Sequence, residues 1–112
     1  IPFEPETLHV SLAKPFALKH HQLDLFRDKL SAAIKESGVT QFDMEVKSEP
    51  SLYVNDQQSR SFIALDVADT CQYAILRLIE ATNTVMTAFN HPTYYDPPRP
   101  HVSFGWKLGQ VE

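Results

Sequence analysis

Apolar and polar residues alternate in two segments of the first half of the chain. Within Thr7–Ala13 every second residue from Leu8 onward is apolar. Such a period of two predicts a strand with one buried face. The same alternation over residues 42–46, where Phe42 and Val46 are the outer apolar positions, predicts a second strand.

Apolar residues recur at helical spacing in two longer segments. The first stripe runs from Leu23 to Ile34, and Gly38 follows where a helix C-terminal cap is expected. The second stripe runs from Cys71 to Phe89. Asp69 or Thr70 can cap the start of this second helix, because short polar side chains accept hydrogen bonds from the first free backbone N–H groups.

The remaining segments predict a hairpin, a loop and a last strand. Ser51–Asn55 and Ser61–Val67 are β-prone runs joined by a polar turn. Residues 91–100 contain four prolines, and proline cannot donate to a strand ladder, so this segment is an extended loop. His101–Lys107 then predicts the final strand.

This order of elements predicts an α+β fold with a mostly antiparallel sheet and two helices on one face. The 112 residues suffice for one domain, so we expect a single domain over residues 1–112. Because the sequence starts at Ile1 and not at Met, we expect it to be part of a longer chain. Its apolar runs are too short for a transmembrane helix.

The overall charge limits the classes of partner. Ten Lys and Arg residues against fourteen Asp and Glu residues give a formal net charge of -4, which argues against broad, non-specific nucleic-acid binding. A local phosphate site stays open, because a few residues determine it. The single cysteine, Cys71, excludes an internal disulfide.

One tetrad occurs in both terminal strands. His9–Leu12 reads His-Val-Ser-Leu, and His101–Phe104 reads His-Val-Ser-Phe. Residues i and i+2 of a strand share a face, so each histidine lies beside its serine while the apolar pair faces the other way, toward the helices. Two such tetrads with apolar second and fourth positions arise in about one shuffled sequence in five hundred.

Two histidines facing one cleft suit paired proton transfer. Neutral imidazole accepts a proton and imidazolium donates one, both near neutral pH. Serine hydroxyls can donate to the oxygens of an anion. This combination favours metal-free cleavage of a phosphodiester, in which one histidine takes the ribose 2′-hydroxyl proton and the other protonates the leaving oxygen. The alternative is that both pairs are ordinary solvent-facing strand residues.

Paired His-apolar-Ser-apolar tetrads resemble the signature of the two-histidine (2H) phosphoesterase superfamily. Further segments are similar to one branch of it, the 3′-to-5′ RNA exonucleases that trim the oligouridine tail of the spliceosomal U-six small nuclear RNA. These segments are Leu18–His21, Tyr53–Asn55, Arg60–Ile63, Phe89–Asn90, Tyr95–Pro98 and His101–Trp106. The resemblance implies pseudo-symmetric lobes around a central groove. It also implies that this chain is truncated at both ends, since relatives have further elements outside the tetrads.

The resemblance assigns the central site residues. It implies that His9 and His101 are the catalytic pair and that Ser11 and Ser103 bind the scissile phosphate. Tyr95 matches the aromatic residue on which the terminal uracil stacks.

Further substrate contacts come from two loops. Asn55 and Asp56 match a loop that touches the nucleotide, although Asp56 stands where the family usually has an amide. Arg99 lies between Tyr95 and the second tetrad, and we expect it to bind substrate; Lys14 is another basic residue near the predicted groove in sequence.

The implied function is a metal-independent exoribonuclease without a cofactor. Its partner is an RNA with a 3′-oligouridine tail, its product a 2′,3′-cyclic phosphate and its location the nucleus, with no membrane involved. Three alternatives stay open: a cyclic phosphodiesterase that acts on 2′,3′-cyclic phosphates or small nucleotides, a ligase-like protein of RNA repair, and an inactive module that binds uridine nucleotides or RNA. The sequence does not determine the oligomeric state.

Overall fold

The computed structural model describes residues 8–54 and 60–108. Two α-helices and three strands form these segments, and short 3-10 helices at His20–Gln22 and Asp69–Cys71 precede the two α-helices. In chain order the elements are α1 (Leu23–Ser37), β1 (Ser51–Val54), β2 (Arg60–Asp66), α2 (Gln72–Ala88) and β3 (His101–Leu108). The predicted α+β class is therefore confirmed.

The three strands form one antiparallel sheet in the order β1-β2-β3. Tyr53 on β1 lies opposite Phe62 on β2, and Asp66 at the end of β2 lies opposite His101 on β3. Alternate residues of a strand share a face, so Tyr53, Asp66 and His101 all lie on one face of the sheet. The predicted hairpin and the predicted last strand are confirmed.

The two helices pack against each other through a small apolar cluster. Phe26 of α1 joins Val85 and Met86 of α2 in this cluster. Gly38 ends α1 with φ of 77°, a left-handed conformation that glycine adopts without steric cost, as the capping prediction required. None of the helices in the described segments is long and apolar enough to cross a membrane.

The predicted cap of the second helix is wrong. No side-chain hydrogen bond caps α2 or the 3-10 helix before it. The Asp69 carboxylate lies 3.6 Å from Lys47 Nζ and accepts a hydrogen bond from Gln72 Nε2 instead. Its side chain is therefore turned to the surface of the helix start rather than to the backbone.

The two segments predicted as strands in the first half each form a single bridge. Val10 pairs with Val102 and Val46 pairs with Val67, both antiparallel. Val46 is 40% exposed, so the alternation over residues 42–46 does not reflect one buried face. In the first segment, Thr7 lies outside the described residues, and Val10 and Leu12 pack against a core cluster that includes Ile75 and Ile79 of α2, as predicted.

Phe104, whose predicted position faces the helices, is 37% exposed. The β2–β3 register shifts between Ile63 and Ala64, so that Gly105 pairs with Ile63 and Ser103 pairs with Ala64. Phe104 is thus the extra residue of a bulge, and a bulge changes the direction in which the side chain points from the strict alternation that the prediction used.

The proline-rich segment is an irregular loop, as predicted, and its ends are anchored. Tyr94 and Pro100 are buried. The Tyr94 N–H donates to Asn83 Oδ1 of α2 at 2.8 Å, and the Val67 N–H donates to the Pro100 carbonyl at 2.9 Å. These contacts hold the loop between α2 and the end of β2.

Candidate active site

One groove, with a volume of about 490 Å³, opens between the two tetrads and the proline-rich loop. Both predicted histidines and both predicted serines line it, together with the two predicted loop residues. These six are His9, Ser11, Tyr95, Arg99, His101 and Ser103. The other two predicted site residues, Asn55 and Asp56, lie outside the described residues.

The bridge between Val10 and Val102 sets the relation of the two tetrads. Because this pairing is antiparallel, the positions beside Val10 face those beside Val102 in the opposite order. Ser11 is therefore placed across from His101, and His9 across from Ser103. Directly opposed residues of such a pair have Cβ atoms about 4.5–5.5 Å apart, so each histidine neighbours the serine of the other tetrad.

His101 is held on two sides. Its Nδ1 atom lies 2.7 Å from the Arg99 carbonyl oxygen, and a carbonyl only accepts, so Nδ1 carries the proton and donates it. The imidazole stacks on the Tyr53 ring with centroids 4.1 Å apart and planes 13° from parallel. In the neutral ring Nε2 is then the nitrogen with the free lone pair.

Asp66 joins three elements around His101. Its carboxylate accepts hydrogen bonds from the Tyr53 hydroxyl, from Arg99 Nη2 at 3.2 Å and from Ser51 Oγ at 3.3 Å. Its side chain is 15% exposed. The burial of this carboxyl would by itself raise its pKa, but the hydrogen bonds from Tyr53 and Arg99 and the Arg99 charge outweigh burial and lower the pKa below its usual value.

The tyrosine in this network stays protonated as a donor. Burial, with the hydrogen bond to Asp66 and the charge of that carboxylate, raises the pKa of Tyr53 well above its ordinary value. The Arg99 guanidinium carbon lies 4.6 Å from the centre of the Tyr53 ring. Arg99 thus lines the groove while it is paired with Asp66, and this pairing fixes its position there.

A second set of contacts surrounds Tyr95, which is 38% exposed. Lys14 Nζ lies 4.5 Å from the centre of its ring, and the Tyr94 ring meets it edge-on at 5.3 Å. The Tyr94 hydroxyl donates to the Arg99 carbonyl at 3.3 Å, the same oxygen that His101 contacts. Burial, with the neighbouring Tyr95, raises the pKa of Tyr94 to about 12.

The sequence patterns assign no role to two residues that contact the predicted site, Tyr53 and Asp66. Tyr53 was visible only as part of a family-like segment, and Asp66 was not singled out. A signal was present, since Asp66 is the one charged residue in the otherwise apolar run from Phe62 to Val67. A carboxylate in such a position needs partners, because burial of an unpaired charge is costly.

The groove therefore combines two imidazoles, hydroxyl groups and the cationic side chain of Arg99, and Lys14 lies over the ring of Tyr95, which lines it. Such a set can bind an oxyanion and move protons on either side of it. Within residues 8–54 and 60–108, no three His, Cys, Asp or Glu side chains are grouped as ligands for a metal ion.

Comparison with known families gives a match over most of the chain. Residues 3–112 match the family model HVSL, described as an uncharacterised conserved protein. The chain is 31% identical over 100 residues to U6 snRNA phosphodiesterase 1 of Dictyostelium discoideum, which covers 89% of this chain and 36% of that relative. It is 30% identical over 107 residues to the Homo sapiens protein of the same name, with 95% of this chain and 38% of the relative covered.

A solved structure shares the fold. Kluyveromyces marxianus Usb1, solved with uridine monophosphate, superposes with a TM-score of 0.65 at 17% identity over 90% of this chain and 47% of that chain. The present chain thus spans less than half the length of these relatives. Together the matches confirm the resemblance that the sequence motifs indicated.

Proposed function

The chain belongs to the HVSL family, and on that premise we propose that its groove is the active site of an RNA phosphodiesterase. The proposed reaction is metal-independent removal of 3′-terminal uridines from a small nuclear RNA in the 3′-to-5′ direction. The observation that carries the proposal is the antiparallel pairing of the tetrads, with both histidines and both serines in one groove. The names of the relatives support the substrate class.

In the proposed reaction His101 is the general base. Its Nδ1–H donates to the Arg99 carbonyl, so Nε2 can take the proton from the 2′-hydroxyl of the penultimate nucleotide. The 2′-oxygen forms a bond to phosphorus while the bond from phosphorus to the 5′-oxygen of the terminal nucleoside breaks. His9 gives a proton to that leaving oxygen. The shortened RNA then ends in a 2′,3′-cyclic phosphate, and the terminal uridine leaves as a nucleoside.

The serines and the cations stabilise the negative charge of the phosphate. Ser11 and Ser103 donate hydrogen bonds to its non-bridging oxygens, where charge increases in the transition state. Arg99 lines the groove and Lys14 lies over the ring of Tyr95, so two cations stand near the phosphate although the formal net charge is -4. A small cluster of cations is enough to attract a phosphate into a cleft.

Tyr95 supplies the surface for the terminal base. Stacking of a base on an aromatic ring contributes about 1–3 kcal/mol and tolerates any base. A preference for uridine therefore requires hydrogen bonds to the uracil edge in addition. The uridine monophosphate in the Usb1 structure supports a pyrimidine nucleotide as the occupant of this fold's groove. We further propose a nuclear location, which follows from the substrate; imaging of the tagged protein in cells tests it.

The test is digestion of a 3′-oligouridine RNA in EDTA. The wild-type protein should shorten the RNA, and His9→Ala and His101→Ala should each lower the rate about 10²–10⁴-fold, the usual contribution of a general acid or base. His20→Ala is the matched control, because His20 is exposed on the 3-10 helix before α1. The proposal is wrong if EDTA abolishes cleavage or if either groove variant keeps the wild-type rate.

The same assay separates the alternatives. Faster turnover of a 2′,3′-cyclic mononucleotide than of oligouridine indicates a cyclic phosphodiesterase. Tight binding of uridine monophosphate by folded protein with no turnover of either substrate indicates a binding module. Analysis of the RNA ends by mass spectrometry distinguishes a cyclic phosphate from an opened one.

A further inference from the structure

The contacts behind His101 form a continuous network outside the tetrads. The Asp66 carboxylate accepts from the Tyr53 hydroxyl, and the Tyr53 ring stacks on the imidazole. The same carboxylate pairs with Arg99 Nη2 at 3.2 Å. The backbone carbonyl of Arg99 in turn accepts from His101 Nδ1 at 2.7 Å. Asp66 is therefore linked to the imidazole in two ways: through the side chain of Tyr53, and through Arg99, whose backbone carbonyl contacts the ring.

The network lies on the three paired strands of the sheet. Asp66 ends β2 directly opposite His101 on β3, and Tyr53 lies on β1 at the other side of β2. The Asp66 side chain is 15% exposed, although that of Arg99 is 56% exposed. A mostly buried carboxylate with three donors has few ways to rearrange, so it fixes the groups that bind it.

We propose that Asp66 and Tyr53 are positioning residues, which hold the His101 imidazole in one orientation and one tautomer with Nε2 directed to substrate. This inference rests on the proposed function for its catalytic meaning, and it adds two residues that no tetrad contains. The Tyr53 ring fixes the plane of the imidazole. The Arg99 carbonyl, fixed through the Arg99–Asp66 pair, selects the Nδ1–H form.

Positioning of this kind affects turnover more than substrate binding. A histidine that samples both tautomers presents an N–H to the 2′-hydroxyl part of the time and cannot then accept its proton. Loss of the partner that orients a metal-ligating histidine typically lowers activity about 10–100-fold, and we expect an effect of the same order for His101. Arg99 pairs with Asp66, but it keeps its charge in Asp66→Asn, and neither the tetrad serines nor Tyr95 are named partners of that carboxylate, so KM should change less than kcat.

The test combines kinetics with the nitrogen spectra of the ring in the full chain. Asp66→Asn should lower kcat on oligouridine RNA about 10–100-fold and Tyr53→Phe about tenfold, with KM within about threefold of wild type. Long-range ¹H–¹⁵N spectra of the neutral protein should show the Nδ1–H tautomer of His101 in wild type and a mixture of tautomers in both variants. A role in stability alone would not move the tautomer.

Two matched controls carry the same chemical changes away from the groove. Asp69→Asn alters an exposed carboxylate three residues after Asp66, and Tyr73→Phe alters an exposed tyrosine on α2. Both should keep the wild-type kcat and the wild-type His101 spectrum. If Asp66→Asn fails to fold, Tyr53→Phe still decides the question, because it keeps the stacked ring but removes one of the three donors that fix the Asp66 carboxylate and, through Arg99, the carbonyl that selects the tautomer.

The outcomes separate this inference from the proposed function. Variants with wild-type kcat, or with reduced kcat and an unchanged His101 tautomer, overturn the positioning proposal and leave the nuclease proposal standing. A wild-type protein that cleaves no oligouridine RNA overturns the nuclease proposal, while the ring spectra still confirm or overturn the positioning of His101.

Discussion

The two tetrads share a sequence pattern but differ in structural support. His101–Phe104 belongs to the eight-residue strand β3, and its histidine contacts Tyr53 and the Arg99 carbonyl. His9–Leu12 is joined to the sheet by the single bridge at Val10 and is otherwise without regular secondary structure. The repeated pattern thus determines which side chains face the groove, and the neighbouring elements determine how firmly each is held.

This difference fits a division of labour between the histidines. A base must present an unprotonated nitrogen, which requires a defined tautomer, and the contacts of His101 select one. An acid in its imidazolium form carries a proton on both nitrogens, so its tautomer does not matter. The roles assigned above therefore follow from the contact that selects the tautomer of His101.

The largest expected effect that distinguishes the two tetrads comes from their serines. If both serines bind the phosphate in the transition state, Ser11→Ala and Ser103→Ala should each lower kcat by about 10²–10³-fold, the cost of one lost oxyanion donor. Equal losses would show that the weakly paired tetrad is as well placed as β3 when substrate is bound. Single-turnover cleavage of oligouridine RNA measures this. A loss confined to Ser103→Ala would contradict a shared phosphate site.

A second effect concerns the contact where the two regions meet. Lys14 follows the first tetrad and lies over the ring of Tyr95 from the loop before the second. Tyr95→Ala should weaken uridine monophosphate binding by about 5–150-fold, from a stacking energy of about 1–3 kcal/mol. Lys14→Met should weaken it less, and titration calorimetry measures both. Tyr73→Ala is the control, and an unchanged affinity in Tyr95→Ala would exclude the stacking role.

A third expected effect concerns Asp66, which supports the second tetrad. The free energy of unfolding that Asp66 contributes should depend on pH. The pKa of Asp66 is lowered in the fold, so its stabilising contribution is complete above the unfolded-state pKa near 4 and is lost as pH falls through the folded-state pKa. Asp66→Asn should lower the free energy of unfolding by about 1–3 kcal/mol at pH 7. The gap to wild type should narrow at pH 3. Urea denaturation at both pH values measures it, and a gap that widens at pH 3 contradicts the assigned network.

The smallest expected effect is a difference in backbone amide exchange between the two tetrads. Amides of residues 101–105 in β3 should exchange with solvent at least about tenfold more slowly than those of residues 9–12, because the latter open without unfolding the sheet. Native-state hydrogen exchange measures this difference in the absence of ligand. Equal protection of the two segments would mean that the single bridge supports the first tetrad as well as a full strand would.

The helices and the hairpin were predictable because their patterns are local. The stripe of α2 places Ile75, Ile79 and Met86 on one buried face, and Gly38 marks the end of α1. The segment with Val46 was predicted wrongly as a strand, because alternation reports a possible face and not whether another element covers it. Val46 is exposed, and it pairs only with Val67.

The residues of the groove were predictable to the extent that they repeat or match a family. His9 and His101 each begin a tetrad of the same pattern, and Tyr95 precedes the second tetrad at a family-like distance. The role of Asp66 was not predictable, because its partners Ser51, Tyr53 and Arg99 lie 15, 13 and 33 residues away and meet it only through the sheet register and the loop. Such a network depends on tertiary structure that no local pattern encodes.

The antiparallel bridge at Val10 also has a consequence for which RNA ends the proposed reaction can produce. It relates the two His-Ser pairs by a local two-fold rotation, so the layout looks nearly the same to a nucleophile entering from either side of the phosphate. By microscopic reversibility, water that takes the place of the departed nucleoside would be activated by His9, while His101 returns its proton to the 2′-oxygen. Hydrolysis of the 2′,3′-cyclic phosphate would then need no additional residue. The time for which the cyclic product stays in the groove would decide whether the RNA ends in a cyclic phosphate or in a 3′-phosphate.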